Sequence, residues 1–254
     1  MMATRMRALL PRLCLLLPLA GLAGCATGPN PIDPYESWNR KVSYFNEQAD
    51  SLVLMPAATA YRQVVPPLVR TGINNFFGNI SDFWSTANNV LQLRPQEAGE
   101  SWLRVGVNTI FGLGGFLDVA TELGIERHRE DFGKTLGRWG VPNGPYMVLP
   151  LLGPSTVRDT VSYPVDYQFD PLPRLVPGSV ETGLYVLRVV DARANLLRAS
   201  SVLESAALDR YSFTRDAYLQ RRESQIFRGK AAADDRDAGS TGGDSDGAEP
   251  DFSR

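Results

Sequence analysis

The stretch from Arg104 to Asp159 most constrains what this chain can fold into. It is crowded with glycine, proline and apolar side chains. Gly112, Gly114 and Gly115 interrupt an apolar run that would otherwise read as one buried helix, and Gly133, Gly137, Gly140 and Gly144 bracket Leu136, Trp139 and Tyr146. Glycine at this density permits positive φ and close backbone approach, or weakens a helix by about 1 kcal/mol per site. Beside so many apolar residues it implies a backbone shaped around something, and able to move.

The first residues supply a location. Arg5, Arg7 and Arg12 form a basic region, and Leu13 to Ala23 is a short apolar run interrupted by Pro18. That is a secretory leader rather than a spanning helix. It ends in Leu22-Ala23-Gly24-Cys25, which resembles a bacterial lipobox and implies cleavage before Cys25 with a covalent lipid on its sulfur. An ordinary leader with a chance cysteine is the alternative. Ala26, where an inner-membrane retention signal would place Asp, points to the outer membrane of a Gram-negative cell. Cleavage at residue 24 leaves 230 of the 254 residues, enough for one domain or two small ones. Cys14 leaves with the leader, so no disulfide forms within the mature chain. The formal charge of −2 becomes −5 without the three leader arginines, which argues against nucleic acid as a partner.

The remaining chain reads as helices. Residues 26–32 are a polar tether. Asp33-Pro34-Tyr35-Glu36 combines an N-cap, a proline at N1 and an acid at N3. Tyr35, Trp38, Val42, Phe45 and Leu52 follow as one apolar stripe, which Pro56 is expected to end. A helix from Pro66-Pro67, another from Ser81 or Asp82 to about Leu93, and a third from Pro95 to about Ile110 come next. The many asparagines here, Asn74, Asn75, Asn79, Asn88, Asn89 and Asn108, either cap helices or hydrogen-bond at depth. Phe116–Leu123 is a short helix stopped by Gly124; Asp131 caps one through Trp139, and Ser155 caps another into 157–165. Pro164 to Pro177 reads as an irregular connection. Val180 to Leu197 marks a long amphipathic helix, and Leu208 to Phe227 a last one with Arg221, Arg222 and Arg228 near its end, suiting the helix dipole. Nothing substantial alternates with period two, so the fold is all-α. From Lys230 the chain carries three cations and seven acids with almost no apolar side chains, and is expected to be disordered.

Enzyme motifs do not survive inspection. Gly133-Lys134-Thr135 resembles the end of a phosphate-binding loop, but His128 stands where its first glycine belongs. Gly112-Leu113-Gly114 opens like a dinucleotide fingerprint, yet Leu117 fills the third glycine position and no βαβ unit surrounds it. His128, the single histidine, lies in the charged run Glu126 to Asp131 and reads as a solvated surface residue. Asp118 and Asp159 read as helix termini and ion pairs rather than an acid/base couple. No metal site and no cofactor are expected.

Several motifs, DPYESWNRKVSYFN (33–46), NNFFGNI (74–80), NNVLQ (88–92), RVGVNTIFGLGGFLDVA (104–120), DFGKTLGRWGVPNGPYMVLPLLGPSTVRD (131–159) and DRYSFTRDAYLQRR (209–222), together resemble the MlaA (VacJ) lipoprotein family over about Asp33 to Arg228. The resemblance implies a leader (1–24), a lipidated tether (25–32), a helical domain (33–229) and an acidic tail (230–254). It implies a ring of helices in the inner leaflet of the outer membrane, around an amphipathic channel for mislocalised phospholipids. A trimeric porin and a soluble periplasmic carrier of the MlaC type are its implied partners. A lipoprotein that only tethers a porin or envelope complex is the alternative. The candidate channel and hinge residues are Phe45, Asn46, Gly112, Gly114, Gly115, Phe116, Lys134, Gly137, Trp139, Gly140, Gly144 and Tyr146, with Gly137–Tyr146 expected to be a mobile rim that Trp139 and Tyr146 obstruct. For any one of them, filling an ordinary core is the competing role. Pro142-Asn143 departs from the expected glycine-like loop.

Overall fold

A computed structural model describes residues 30–206 and 209–240, with side chains over 30–200 and 209–226. Cys25, the leader and the end of the tail lie outside the described residues. Ten helices and one hairpin are present among those described: α1 Glu36–Ala49, α2 Met55–Val64, α3 Pro67–Leu91, α4 Pro95–Ile110, α5 Val119–Glu122, α6 Phe132–Arg138, β1 Tyr146–Leu149, β2 Gly153–Thr156, α7 Val157–Phe169, α8 Leu172–Leu175, α9 Gly178–Ala206 and α10 Arg210–Ser240. The mostly helical fold agrees with the reading of the sequence. The antiparallel hairpin, which pairs Tyr146 with Thr156 and Leu149 with Gly153, was not anticipated. Four-residue strands with a proline in one of them are too short to show alternation.

Other boundaries differ for physical reasons. Pro56 does not end the first element: a π-helical turn, Asp50–Leu54, carries the chain into α2, where proline occupies the first turn and no N–H is needed. Nor does a new helix begin at Ser81. Ser81 Oγ donates to the Phe77 carbonyl at 2.9 Å, bonding back along the helix instead of capping, so α3 runs on for 25 residues. The cap of α7 is Thr156, accepting from Asp159 N, rather than Ser155. Pro164 lies inside α7, at a cost of about 3 kcal/mol for an interior proline. Tertiary contacts offset it: Asp166 Oδ1 accepts from Trp84 Nε1 and Phe132 N at 2.8 Å each, and Phe169 stacks on Trp84 with centroids 5.0 Å apart. Asp131 caps α6 as expected. Helix α10 continues to Ser240, past the point where disorder was expected to begin.

Two small apolar clusters hold the elements together. Val42, Tyr146, Val148 and Tyr211 join α1, β1 and α10, while Phe77, Ile80 and Leu172 join α3 to α8 and α9. The burial pattern elsewhere is inverted. Between α3 and α4 the facing residues are Asn79, Asp82, Ser85, Asn89, Ser101 and Arg104, all buried. Phe83, Val90, Leu91, Trp102, Leu103 and Ile110 of the same two helices are exposed. Among the described residues, 21 polar or charged side chains are buried against 11 apolar ones. A water-soluble core shows the opposite preference.

Much of the polar interior is paired, although Asn79 Oδ1, Asp82 Oδ1 and Asn89 Oδ1 are buried without a hydrogen-bond partner. Arg104 reaches Asp82 at 3.4 Å and Asp118 at 2.6 Å, and Arg127 reaches the same Asp82 oxygen at 3.1 Å. Asn108 donates to Asp118 and accepts from Ala120 N; Asn88 accepts from Thr135; Asn79 donates to Thr109. The asparagines therefore hydrogen-bond at depth. Among the described residues, no helix is long and apolar enough to cross a membrane.

Candidate functional site

A cavity of about 600 Å³ lies among α3, α7, α9, α10 and the hairpin. Leu149, Leu152 and Pro154 of the hairpin, with Val189 and Ala192 of α9, give it an apolar wall. Helix α7 presents Tyr163, Asp166 and Tyr167 on one face, and Asp170 follows at its C-terminal end, spaced i, i+3, i+4 and i+7. The volume falls within the range of small-molecule sites. Tyr163 and Tyr167 are 47% and 59% exposed, so the cavity is open to its surroundings.

Most of its charges are held by partners. Arg222, buried on α10, donates to Asp159 Oδ2 at 2.8 Å and to both Asp131 oxygens at 2.7 and 2.9 Å. Burial by itself would raise the Asp159 and Asp131 carboxyls, but the Arg222 guanidinium outweighs it and holds both below the usual carboxylate range. Asp170 receives Arg188 Nη1 at 2.8 Å and the Tyr185 hydroxyl at 3.3 Å. Asp166 has no guanidinium or ammonium within ion-pair distance among the described residues; burial raises its carboxyl, with the Trp84 bond opposing. Among the described residues, no three His, Cys, Asp or Glu side chains gather as a metal site.

None of the twelve candidate channel and hinge residues lines this cavity. Gly112, Gly114, Gly115 and Phe116 instead build the turn that closes α4, where Leu117 N bonds to Gly112 O at 2.9 Å and Gly115 packs on the Asn79 side chain. That turn pushes Phe111 and Leu113 outward, 69% and 74% exposed. Lys134 is buried, its Nζ donating to the Arg129 carbonyl, and burial lowers its pKa. Tyr146 is 1% exposed at the start of β1, packed edge-on against Tyr211 and Tyr218, so it does not obstruct a passage. Trp139 is 54% exposed, with its indole N–H on the Leu91 carbonyl at 3.0 Å. Gly137 packs against Arg158 and Ile226, Gly144 sits at φ 66° opposite Val157, and Gly137 and Gly140 border a separate cavity of about 250 Å³.

The first helix does carry a link to the site. Asn46 Nδ2 donates to Leu149 O at 2.9 Å, and its Oδ1 accepts from Leu151 N at 2.7 Å. Asn39, two turns earlier and not anticipated, brackets the other end of β1 through Tyr146 O and Val148 N. These two asparagines hold the edge strand that supplies the apolar wall, while Phe45 between them points out, 52% exposed. Replacing Asn46 by alanine should leave the helices intact and release the hairpin tip. Amide exchange at Leu151 is expected to accelerate by about tenfold, the effect of losing roughly 1 to 1.5 kcal/mol of local hydrogen bonding.

Other assignments also change in place. His128 is not solvated: its Nε2 lies 2.6 Å from Glu100, whose carboxyl it helps to lower. Arg222 does not merely complement a helix dipole. It joins α10 to α6 and α7, and a side chain so placed gives no sign in a one-dimensional pattern. The tyrosines and aspartates of α7 did give a sign, their helical spacing, which the prolines around them obscured.

Helices surrounding an open cavity, with buried polar side chains and exposed apolar ones between and outside α3 and α4, define a cavity-bearing helical protein. Its sequence places it more closely. The profile of the MlaA lipoprotein family matches residues 31–225, and the chain belongs to that family of envelope lipoproteins. It is 35% identical over 210 residues to the intermembrane phospholipid transport system lipoprotein MlaA of Escherichia coli, covering 80% of this chain and 83% of the relative. The protein of the same description from Haemophilus influenzae is 34% identical over 227 residues, covering 85% and 90%. A solved structure from work on the maintenance of bacterial outer membrane lipid asymmetry superposes with a TM-score of 0.67. It is 33% identical and spans 76% of this chain and 98% of that one.

Proposed function

We propose that this protein is a non-enzymatic phospholipid conduit of the outer membrane, removing mislocalised phospholipid from the outer leaflet and passing it to a periplasmic carrier. The observation that carries this reading is the open cavity with apolar and charged lining, in a molecule whose helices α3 and α4 turn large apolar side chains outward. Its apolar wall suits acyl chains and its aspartate, arginine and tyrosine groups suit a head group. The exposed Phe83, Trp102, Ile110, Phe111 and Leu113 suit immersion in one leaflet, each large apolar side chain contributing about 1.5–3 kcal/mol when removed from water. Trp139 fits the head-group level, where amphipathic aromatics concentrate. A trimeric porin and a soluble carrier of the MlaC type complete the pathway that the family resemblance implies.

Lipid extracted from the detergent-purified, full-length protein tests this reading. Wild-type protein should carry phospholipid detectable by mass spectrometry. Tryptophan at both Val189 and Ala192, adjacent turns of the apolar wall, should fill the cavity and remove at least half of it without loss of helicity. No bound phospholipid in the wild type would leave a tethering lipoprotein instead.

The anchor is Cys25. Each acyl methylene buried in a bilayer contributes about 0.8 kcal/mol, so two or more chains give stable attachment. Cys25→Ser should abolish fatty-acid labelling and release the protein from membranes on carbonate washing. Label on that variant would refute the lipidation.

A further inference from the structure

The proposal here rests on the conduit reading and concerns which head group the cavity takes. Its charges are unevenly satisfied. Arg222 occupies Asp131 and Asp159, and Arg188 occupies Asp170. Asp166 is left on the same wall with one oxygen committed to two neutral N–H groups, of Trp84 and Phe132, and with no cation of the described residues paired to it. It stands one helical turn from Asp170, a separation of about 5–6 Å between Cβ atoms. Tyr163, Tyr167 and Tyr218 line the cavity beside it, and aromatic faces attract cations.

Arg188 supplies the opposite charge. Its guanidinium donates to Asp170 through Nη1 and to Ser81 through Nη2 at 3.1 Å, and its side chain remains 32% exposed. A guanidinium with five N–H donors keeps some for an anion beyond those two contacts. The wall therefore offers a carboxylate with no ion-pair partner among the described residues, about one turn from Asp170 and the partly exposed guanidinium that Asp170 holds. That order complements a zwitterion whose ammonium and phosphate are joined by a short linker.

We propose that the cavity selects phospholipids with a primary-ammonium head group, Asp166 receiving the ammonium and Arg188 the phosphate. An anionic glycerol head group brings no cation for Asp166 and leaves its carboxylate facing added negative charge.

The experiment is competition in mixed micelles. Full-length protein is equilibrated with equal amounts of phosphatidylethanolamine and phosphatidylglycerol, and separately with phosphatidylethanolamine and its N-acetyl derivative; bound lipid is quantified after re-isolation. Wild type should enrich phosphatidylethanolamine about fivefold over either competitor, the preference that one solvent-accessible carboxylate–ammonium contact supplies. Asp166→Asn keeps an oxygen for Trp84 and Phe132 while removing the charge. It should bind the same total lipid with the enrichment gone. Bound lipid at the input ratio in wild type, or full enrichment retained in Asp166→Asn, would overturn the head-group assignment alone. The wild-type comparison with the N-acetyl lipid decides the matter even where the variant folds poorly. Absence of bound phospholipid altogether would overturn the conduit reading and this assignment with it.

Discussion

Arg222→Met should lower the melting temperature at pH 7 by about 10 °C. The guanidinium and Asp159 are 8% exposed on both sides, and the same arginine also holds Asp131, which is 34% exposed. Methionine of similar length fills the space but leaves a buried carboxylate without its main counter-charge. Removing one partner of a buried pair costs about 3–5 kcal/mol. Arg158 still reaches Asp159 at 3.0 Å and Asp131 stays partly hydrated, so the lower end of that range applies. At about 2–4 °C per kcal/mol for a domain of this size, the shift is near 10 °C. Acid changes the comparison in a definite direction. In the wild type both carboxyls are held below their ordinary range, so their contribution is present above about pH 4 and fades as pH falls through the lowered values. In the variant, protonation instead relieves an unpaired buried charge. The gap between the two proteins, read by circular dichroism at pH 7 and below pH 4, should narrow. A gap of the same size at both pH values would show that Arg222 acts through packing alone.

Gly112→Ala should cost about 3 kcal/mol, the upper part of the overpacking range. A Cβ at this position would stand 2.2 Å from the Leu117 carbonyl oxygen and 2.4 Å from that of Asn108. Both are backbone atoms, so no side-chain rotation relieves them, and the turn must open. Gly114 provides the contrast within the same turn: its φ is +73° but no atom lies within 4 Å of a Cβ, so alanine there pays only about 1 kcal/mol of left-handed strain. Urea midpoints of the two variants should differ accordingly. Equal midpoints would mean that the turn opens to accept a Cβ at Gly112 without the cost of close approach. The same turn carries Phe111 and Leu113 at its tip, so Gly112→Ala should also weaken partition into detergent micelles.

Much of the local structure is legible in the residues themselves. The cap at Asp131, the proline starts of α3 and α4, the stop at Gly124 and the long helix α9 follow from side chains acting within a few positions of themselves. The motifs of the central region also sufficed to show the resemblance to the MlaA lipoproteins. Errors arose where a residue's role depends on distant partners. Ser81 has the chemistry of a cap but bonds back along its helix, and Pro164 has the chemistry of a breaker but sits in a helix held by Trp84 and Phe132.

The candidate site was less legible still. Glycine in a sequence does not say whether it opens a passage or permits close packing; at Gly112 and Gly137 neighbouring backbone and side chains pack where a Cβ would stand. The cavity is made by residues from Ser81 to Arg222, and no local pattern brings those together. The deepest limit concerns which way the helices face. A period of 3.6 residues establishes that α3 and α4 have a polar and an apolar stripe, and it is unchanged when the stripes exchange sides. Asn89 and Ser101 face each other, as do Asp82 and Arg104, only because both helices turn the same stripe inward. The chain thus determined by itself that it would be helical and where most of its helices begin. Only the tertiary structure decided that its polar stripes are the interior, because the cross-helix contacts of Asp82 with Arg104 and Arg127 and of Asn79, Asn88 and Asn89 with Thr109, Thr135 and Ser101 form only when the helices pack.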